Sequence, residues 1–147
     1  MQLNVGIKNH KHGTNILDVR LPAQMERLVP TGIDWFDEQA GGKETPGVTP
    51  SMVTLFTGVP GAGKTTTALQ LAEAITASGN TCLYNTGEES LFQVRKAVKR
   101  MELKEGFIAG QDVMVEDLLK HGNKLIEANR IEAQASKKRQ KQLFVIC

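Results

Sequence analysis

The sequence predicts an α/β domain on a mostly parallel sheet, and three consecutive stretches predict it. "MVTLFT" (Met52 to Thr57) is short, β-branched and almost wholly apolar, the composition of a strand covered on both faces. A glycine-rich stretch, "GVPGAGKT", follows directly. From Thr65 to Thr76 the apolar residues Ala68, Leu69, Ala72 and Ile75 recur at helical spacing, and Ser78 and Gly79 supply a stop. "TCLYNT" (Thr81 to Thr86) then reads as a second buried strand. Strand, helix and strand in this order form a βαβ unit, whose two strands run parallel.

The remaining elements fit around that unit. Residues 1–30 form a lead-in of mixed character, with a polar turn at His10, Lys11, His12 and Gly13. The two histidines there have no companion Cys or His cluster of the kind a metal site needs. "TGIDWFDEQAGG" (Thr31 to Gly42) reads as a short helix with Thr31 as N-cap, the apolar trio Ile33, Trp35 and Phe36, an aromatic pair for docking and a Gly-Gly stop. In "GEESLFQVRKAVKRM" two carboxylates precede a helix that sets Leu91, Val94, Val98 and Met101 on one face, with Arg95, Lys96, Lys99 and Arg100 mostly on the other. Glu102 to Gln111 reads as a loop, "DVMVED" as a short strand, Leu118 to Gln142 as a basic helical stretch interrupted near Gly122, and "LFVIC" as another buried strand. Residues 31–147 thus form one domain, as expected for a chain of 147 residues.

Composition narrows the function. With 40% apolar and 23% charged residues the chain is an ordinary globular sequence, and it has no apolar run long enough to cross a bilayer. The N-terminus lacks an apolar signal core, so the expected location is cytoplasmic. Cys82 and Cys147 are far apart and outside any CxxC pattern, and Cys82 reads as a small core residue. The net charge of +2 does not argue for nucleic acid, but basic residues gather between Lys120 and Lys141. "KKRQK" (Lys137 to Lys141) could neutralise DNA phosphates. A solvated helix face is the plainer reading, since aromatic residues for base stacking are scarce around it.

"GVPGAGKT" fits the phosphate-loop pattern GxxxxGK[ST] at every fixed position, between a predicted strand and a predicted helix. Along Gly58, Val59, Pro60, Gly61, Ala62 and Gly63 the backbone can turn its N–H groups toward an anion, aided by the helix dipole behind it. Lys64 is expected to reach the β and γ phosphates, Thr65 to ligate Mg²⁺ and Thr66 to touch the α phosphate. Glu88 and Glu89 lie just past the second strand, at the sheet edge where ligands collect. A carboxylate there can orient an attacking water or take its proton; equally, the pair can be acids favoured in the first turn of a helix.

"TGIDWFDEQAGG", "GVTPSMVTLFTGVPGAGKTT" and "LYNTGEESLFQVRKAVKRM" follow one another as in the bacterial RadA (Sms) DNA repair ATPases, with the KaiC and RecA groups more distant. The resemblance covers residues 30 to 102. It implies a RecA-like P-loop NTPase fold, a three-layer α/β sandwich, using ATP with Mg²⁺. It also implies that the acid after the second strand is the catalytic base, Glu88 with Glu89 as the alternative. The implied function is a DNA-dependent ATPase that acts as a homo-oligomeric ring in branch migration and the processing of recombination intermediates. Thr65 stands where serine is commoner, and the four-cysteine zinc module, KNRFG motif and protease-like domain of RadA proteins are not found here. "QLFVIC" resembles the strand that leads to the Walker B aspartate, and Asp112 and Asp117, the nearest stand-ins, do not follow a long apolar strand. The family's next strand would lie between the phosphate-loop strand and this one. The expectation is therefore a domain incomplete at its C-terminus, part of a longer protein, that binds nucleotide weakly and hydrolyses it slowly. The alternatives are a KaiC-like regulatory ATPase and a nucleotide-binding module without turnover.

Overall fold

The computed structural model describes residues 15–147, so the polar turn expected at His10 to Gly13 lies outside the described residues. A short 3-10 turn, Ile16–Asp18, precedes helices α1 (Ala23–Glu26) and α2 (Asp34–Gly41). Then come α3 (Lys64–Ala77), β1 (Thr81–Asn85), α4 (Leu91–Arg100), β2 (Ile108–Gly110), α5 (Val115–Ser136) and β3 (Leu143–Ile146). The three strands form one parallel sheet in the order β2-β1-β3.

Strand β1 takes the centre because its sequence can be buried on both sides. Cys82, Leu83, Tyr84 and Asn85 are all buried. Side chains alternate along a strand. Cys82 and Tyr84 enter a cluster with Phe36, Leu69, Leu71, Ala72, Ile75 and Val94, so α2, α3 and α4 share that face. Thr81 points the other way and donates from Oγ1 to Asn129 Oδ1 of α5 at 3.0 Å. Helices on both faces make the expected three-layer α/β arrangement. Burying an aliphatic side chain such as Leu69 or Ile75 stabilises the fold by about 1.5–3 kcal/mol, so this cluster outweighs the surface contacts.

Local chemistry sets the helix ends. Ser90 and Gln93 form a capping box at the start of α4, in which the Ser90 N–H donates to Gln93 Oε1 at 2.8 Å and the Gln93 N–H donates to Ser90 Oγ at 3.3 Å. Val94 is buried, and Ala97, Val98 and Met101 pack against the core, whereas Leu91 of the predicted apolar face is 38% exposed. Helix α2 begins at Asp34, three residues after the predicted cap. Thr31 serves a different bond, donating from Oγ1 to Asp37 Oδ1 at 2.7 Å while the Thr31 and Gly32 N–H groups also donate to that buried carboxylate. Of the predicted docking pair, Phe36 is buried and Trp35, 56% exposed, meets it edge-on.

Three other expectations are corrected. Met52 to Thr57 is not a strand: it runs outside the sheet, with Val53 94% and Leu55 84% exposed. Strand composition needs a neighbouring backbone to become a strand. Among the described residues neither free sheet edge pairs with it, and Phe56, stacked on Phe36 with ring centres 5.8 Å apart, is its aromatic anchor. "DVMVED" is also not a strand. The edge strand is Ile108–Gly110, inside the predicted loop, and the ladder stops where the Asn85 side chain takes over the Asp112 backbone, donating to its carbonyl and accepting from its N–H at 2.9 and 2.8 Å. Finally, α5 passes through Gly122 without a break. Gly122 is buried against β3, where an added Cβ would stand 3.6 Å from Leu143 Cδ2, an ordinary contact, so the helix passes a position that has room for a methyl group.

Two outcomes follow for stability. Gly122→Ala should raise it by up to about 1 kcal/mol in urea unfolding, since alanine is the better helix former and its methyl group makes an ordinary contact, whereas Gly122→Leu should lower it by about 1–3 kcal/mol. Burial pushes the Cys82 thiol from its ordinary 9.0 up to about 12. The unfolded chain therefore releases this proton first. The Cys82 contribution to stability should be intact below pH 9.0 and fall progressively as the pH rises toward about 12, a loss that Cys82→Ala would remove from the alkaline unfolding curve.

Candidate nucleotide-binding site

The glycine-rich loop ends where α3 begins. Gly61 and Gly63 have φ of 79° and 85°, in the left-handed region that glycine enters without strain, and Gly63 is the N-cap of α3. The Ala62 N–H donates to Val59 O at 3.1 Å, which closes the turn. Lys64, the first helical residue, folds back so that Nζ donates to Gly58 O at 2.8 Å and Val59 O at 3.1 Å. The loop thus wraps its own ammonium group through carbonyl oxygens that a phosphate can replace.

Beside it lies a recess of about 410 Å³ between the start of α3 and the carboxyl ends of β1 and β3. Lys64 and Thr65 line it from α3; Glu88 and Glu89 line it from the turn after β1. Of the residues expected to bind nucleotide, Gly58, Val59, Pro60, Gly61, Ala62 and Gly63 precede Lys64 in the chain and do not line this recess, nor does Thr66, which is exposed on the first turn of α3. The lysine and both candidate acids, 24 or more positions apart in the chain, are brought to one cavity.

The acids precede α4 and do not sit in its first turn, because Ser90 is the cap and Leu91 the first helical residue. Their turn is held by Thr86, whose Oγ1 accepts from the Glu89 N–H and donates to the Glu89 carbonyl, both at 3.0 Å. Gln111 Nε2 donates to the same carbonyl at 3.2 Å. Glu88 is exposed and Glu89 half-buried. Burial first, and the Glu89 carboxylate second, hold the Tyr84 hydroxyl above its ordinary pKa of 10.0.

Tyr84, Asn85, Thr86 and Ile146 also line the recess and were missed as site residues in the sequence. The available signal was positional, since the carboxyl ends of parallel strands are where such crevices form. The oxygen donors suit Mg²⁺, which takes one or two protein oxygens and fills its remaining positions with water and phosphate: Thr65 Oγ1 and a carboxylate of the turn are the groups present. Among the described residues there is no cluster of three or more His, Cys, Asp or Glu side chains that could hold a metal by itself. Nor is any described helix long and apolar enough to cross a membrane.

The sequence is similar to that of known ATPases and DNA repair proteins. The family model described as the KaiC ATPase matches residues 29–143. The DNA repair protein RadA of Mycobacterium tuberculosis is 41% identical over 93 residues, 60% of this chain and 18% of its own length. RadA of Rickettsia conorii is 37% identical over 102 residues, covering 69% of this chain and 21% of the relative. RadA of Aquifex aeolicus is 34% identical over 90 residues, 60% of this chain and 19% of the relative. The chain thus spans about a fifth of the length of the curated relatives it matches. No solved structure matches it. The chain belongs to the KaiC family of ATPases and is a RadA-like member of it.

Proposed function

We propose that this domain binds Mg·ATP at the phosphate loop and hydrolyses it in support of DNA repair or recombination. The observation that carries this reading is the shared recess, where Lys64 and Thr65 face Glu88 and Glu89. Lys64 exchanges its bonds to Gly58 O and Val59 O for bonds to the β and γ phosphates, offsetting the charge that develops on the transferring group. The loop N–H groups hold the remaining phosphate oxygens, and Thr65 holds the metal ion, which supplies further charge neutralisation when bound. Thr66 lies near the α phosphate.

Glu88 orients the attacking water and accepts its proton, with Glu89 as the alternative. Exposure favours Glu88, which is free to reach a water, while the backbone of Glu89 anchors the turn through Thr86 and Gln111. The RadA relatives are named as DNA repair proteins, which supports DNA as the partner and, with the family resemblance, branch migration by a homo-oligomeric ring in the cytoplasm. A second reading, a KaiC-like ATPase whose nucleotide state controls protein contacts, is favoured by the description of the matching family. DNA-stimulated phosphate release would separate the two.

Titration of Mg·ATP into the chain and its Lys64→Ala variant tests the reading. Binding should be lost in the variant; equal binding by both would overturn the assignment of the loop. Glu88→Gln should keep the affinity and slow phosphate release by about 10²-fold or more, the share a general base contributes. The same result in Glu89→Gln, with Glu88→Gln unaffected, would move the role to Glu89.

A further inference from the structure

We infer that the exposed face of α4 is a contact surface for single-stranded nucleic acid. This rests on the DNA partner proposed above and adds the surface that meets it. At 3.6 residues per turn, Phe92, Arg95, Lys96, Lys99 and Arg100 fall within an arc of roughly 140°, opposite Val94 and Met101. All five are exposed, Phe92 by 89%. None of the four cations is in an ion pair with an acid among the described residues.

The basic run that stands out in the sequence behaves differently. Lys120 pairs with Asp117 at 2.8 Å, Arg130 with Glu127 at 2.7 Å and Lys141 with Glu132 at 2.9 Å. Lys137 and Lys138 lie at the C-terminal end of α5, where the helix dipole favours positive charge. Lys120, Arg130 and Lys141 thus have carboxylate partners and none of the α4 cations does, although Lys99 and Arg100, in the last turn of α4, share the dipole interaction.

An exposed phenyl ring among unpaired cations matches a strand whose bases stack and whose phosphates alternate with them. Every base has a π-face, so such a platform works without sequence preference. Helix α4 is joined through its Ser90 cap to Glu88 and Glu89, so Phe92, at one end of the surface, lies about one turn along the chain from the carboxylates of the recess.

Fluorescence anisotropy with labelled oligothymidylate, at salt concentrations from about 50 to 200 mM, reads this out directly. The unsubstituted chain should bind. Lys96→Glu combined with Lys99→Glu should weaken binding about 10-fold or more and reduce the salt slope by about 1.4, the loss of two phosphate contacts on a single strand. Phe92→Ala should weaken binding with the slope unchanged, because stacking releases no counterions. Circular dichroism and Mg·ATP affinity should remain as in the parent chain, since these residues lie outside the core. Loss of binding only in Lys137→Glu with Lys138→Glu would overturn the inference in favour of the loop after α5. An unchanged affinity in Phe92→Ala, or competition by polyglutamate as strong as by oligothymidylate, would overturn it in favour of an acidic protein partner. No binding by the unsubstituted chain would overturn it together with the proposed DNA partner, while Lys64-dependent Mg·ATP binding would leave the nucleotide site standing.

Discussion

Strand β1 is hydrogen-bonded along both edges and buried on both faces, and the positions of the site residues follow from it. The crossover from β1 to β2 runs through α4 on one face of the sheet, and the crossover from β2 to β3 runs through α5 on the other. The strand order therefore reverses at β1. A crevice opens at the carboxyl end of such a switch point because the adjoining loops leave in opposite directions. Thr86, Glu88 and Glu89 occupy the mouth of that crevice, and α3, packed on β1 through Leu69, Ala72 and Ile75, brings Lys64 to it.

Electrostatics then complement the packing. Lys64, Glu88 and Glu89 share a recess that Tyr84 also lines. The turn that carries the acids is held by backbone and hydroxyl bonds, so both carboxylates stay available to solvent and ligand. Glu89 lies close enough to Tyr84 to disfavour its ionisation, whereas Glu88 stands in the open. Two adjacent residues of the same chemistry thus have different surroundings, a common basis for dividing roles between acids.

The two basic regions illustrate why charge in a sequence is a poor guide to charge on a surface. Lys137 to Lys141 is the denser run, yet its Lys141 is paired with Glu132. The cations of α4 are interleaved in sequence with Val94, Ala97 and Val98, a helical spacing that sets them on one face, and among the described residues none of them is paired with an acid. Burial of those apolar residues gathers the positive charge on the opposite side.

The sequence by itself determined what depends on near neighbours along the chain. The order of glycines around Lys64 and the start of α3 behind them follow from local backbone conformation, and the spacing of Leu69, Ala72 and Ile75 is a property of one helix. The burial of β1 was legible from Cys82, Leu83 and Tyr84, three consecutive residues suited to the interior, whereas that of Asn85 depends on the distant Asp112 backbone. Tertiary structure decided what requires a distant partner. Met52 to Thr57 has the composition of a strand and no backbone beside it to pair with among the described residues, while Ile108–Gly110 has a weaker composition and pairs with β1. Gly122 reads as a helix break in the sequence, yet α5 runs through it unbroken beside Leu143, 21 positions later. That Glu88 and Glu89 stand outside the helix, in a turn that shares a recess with Lys64, follows from the Ser90 cap and from the packing of α3 on the sheet. Helical turns and loop conformations are closed by bonds over a few residues, whereas sheets and cavities are closed by contacts whose partners lie far along the chain.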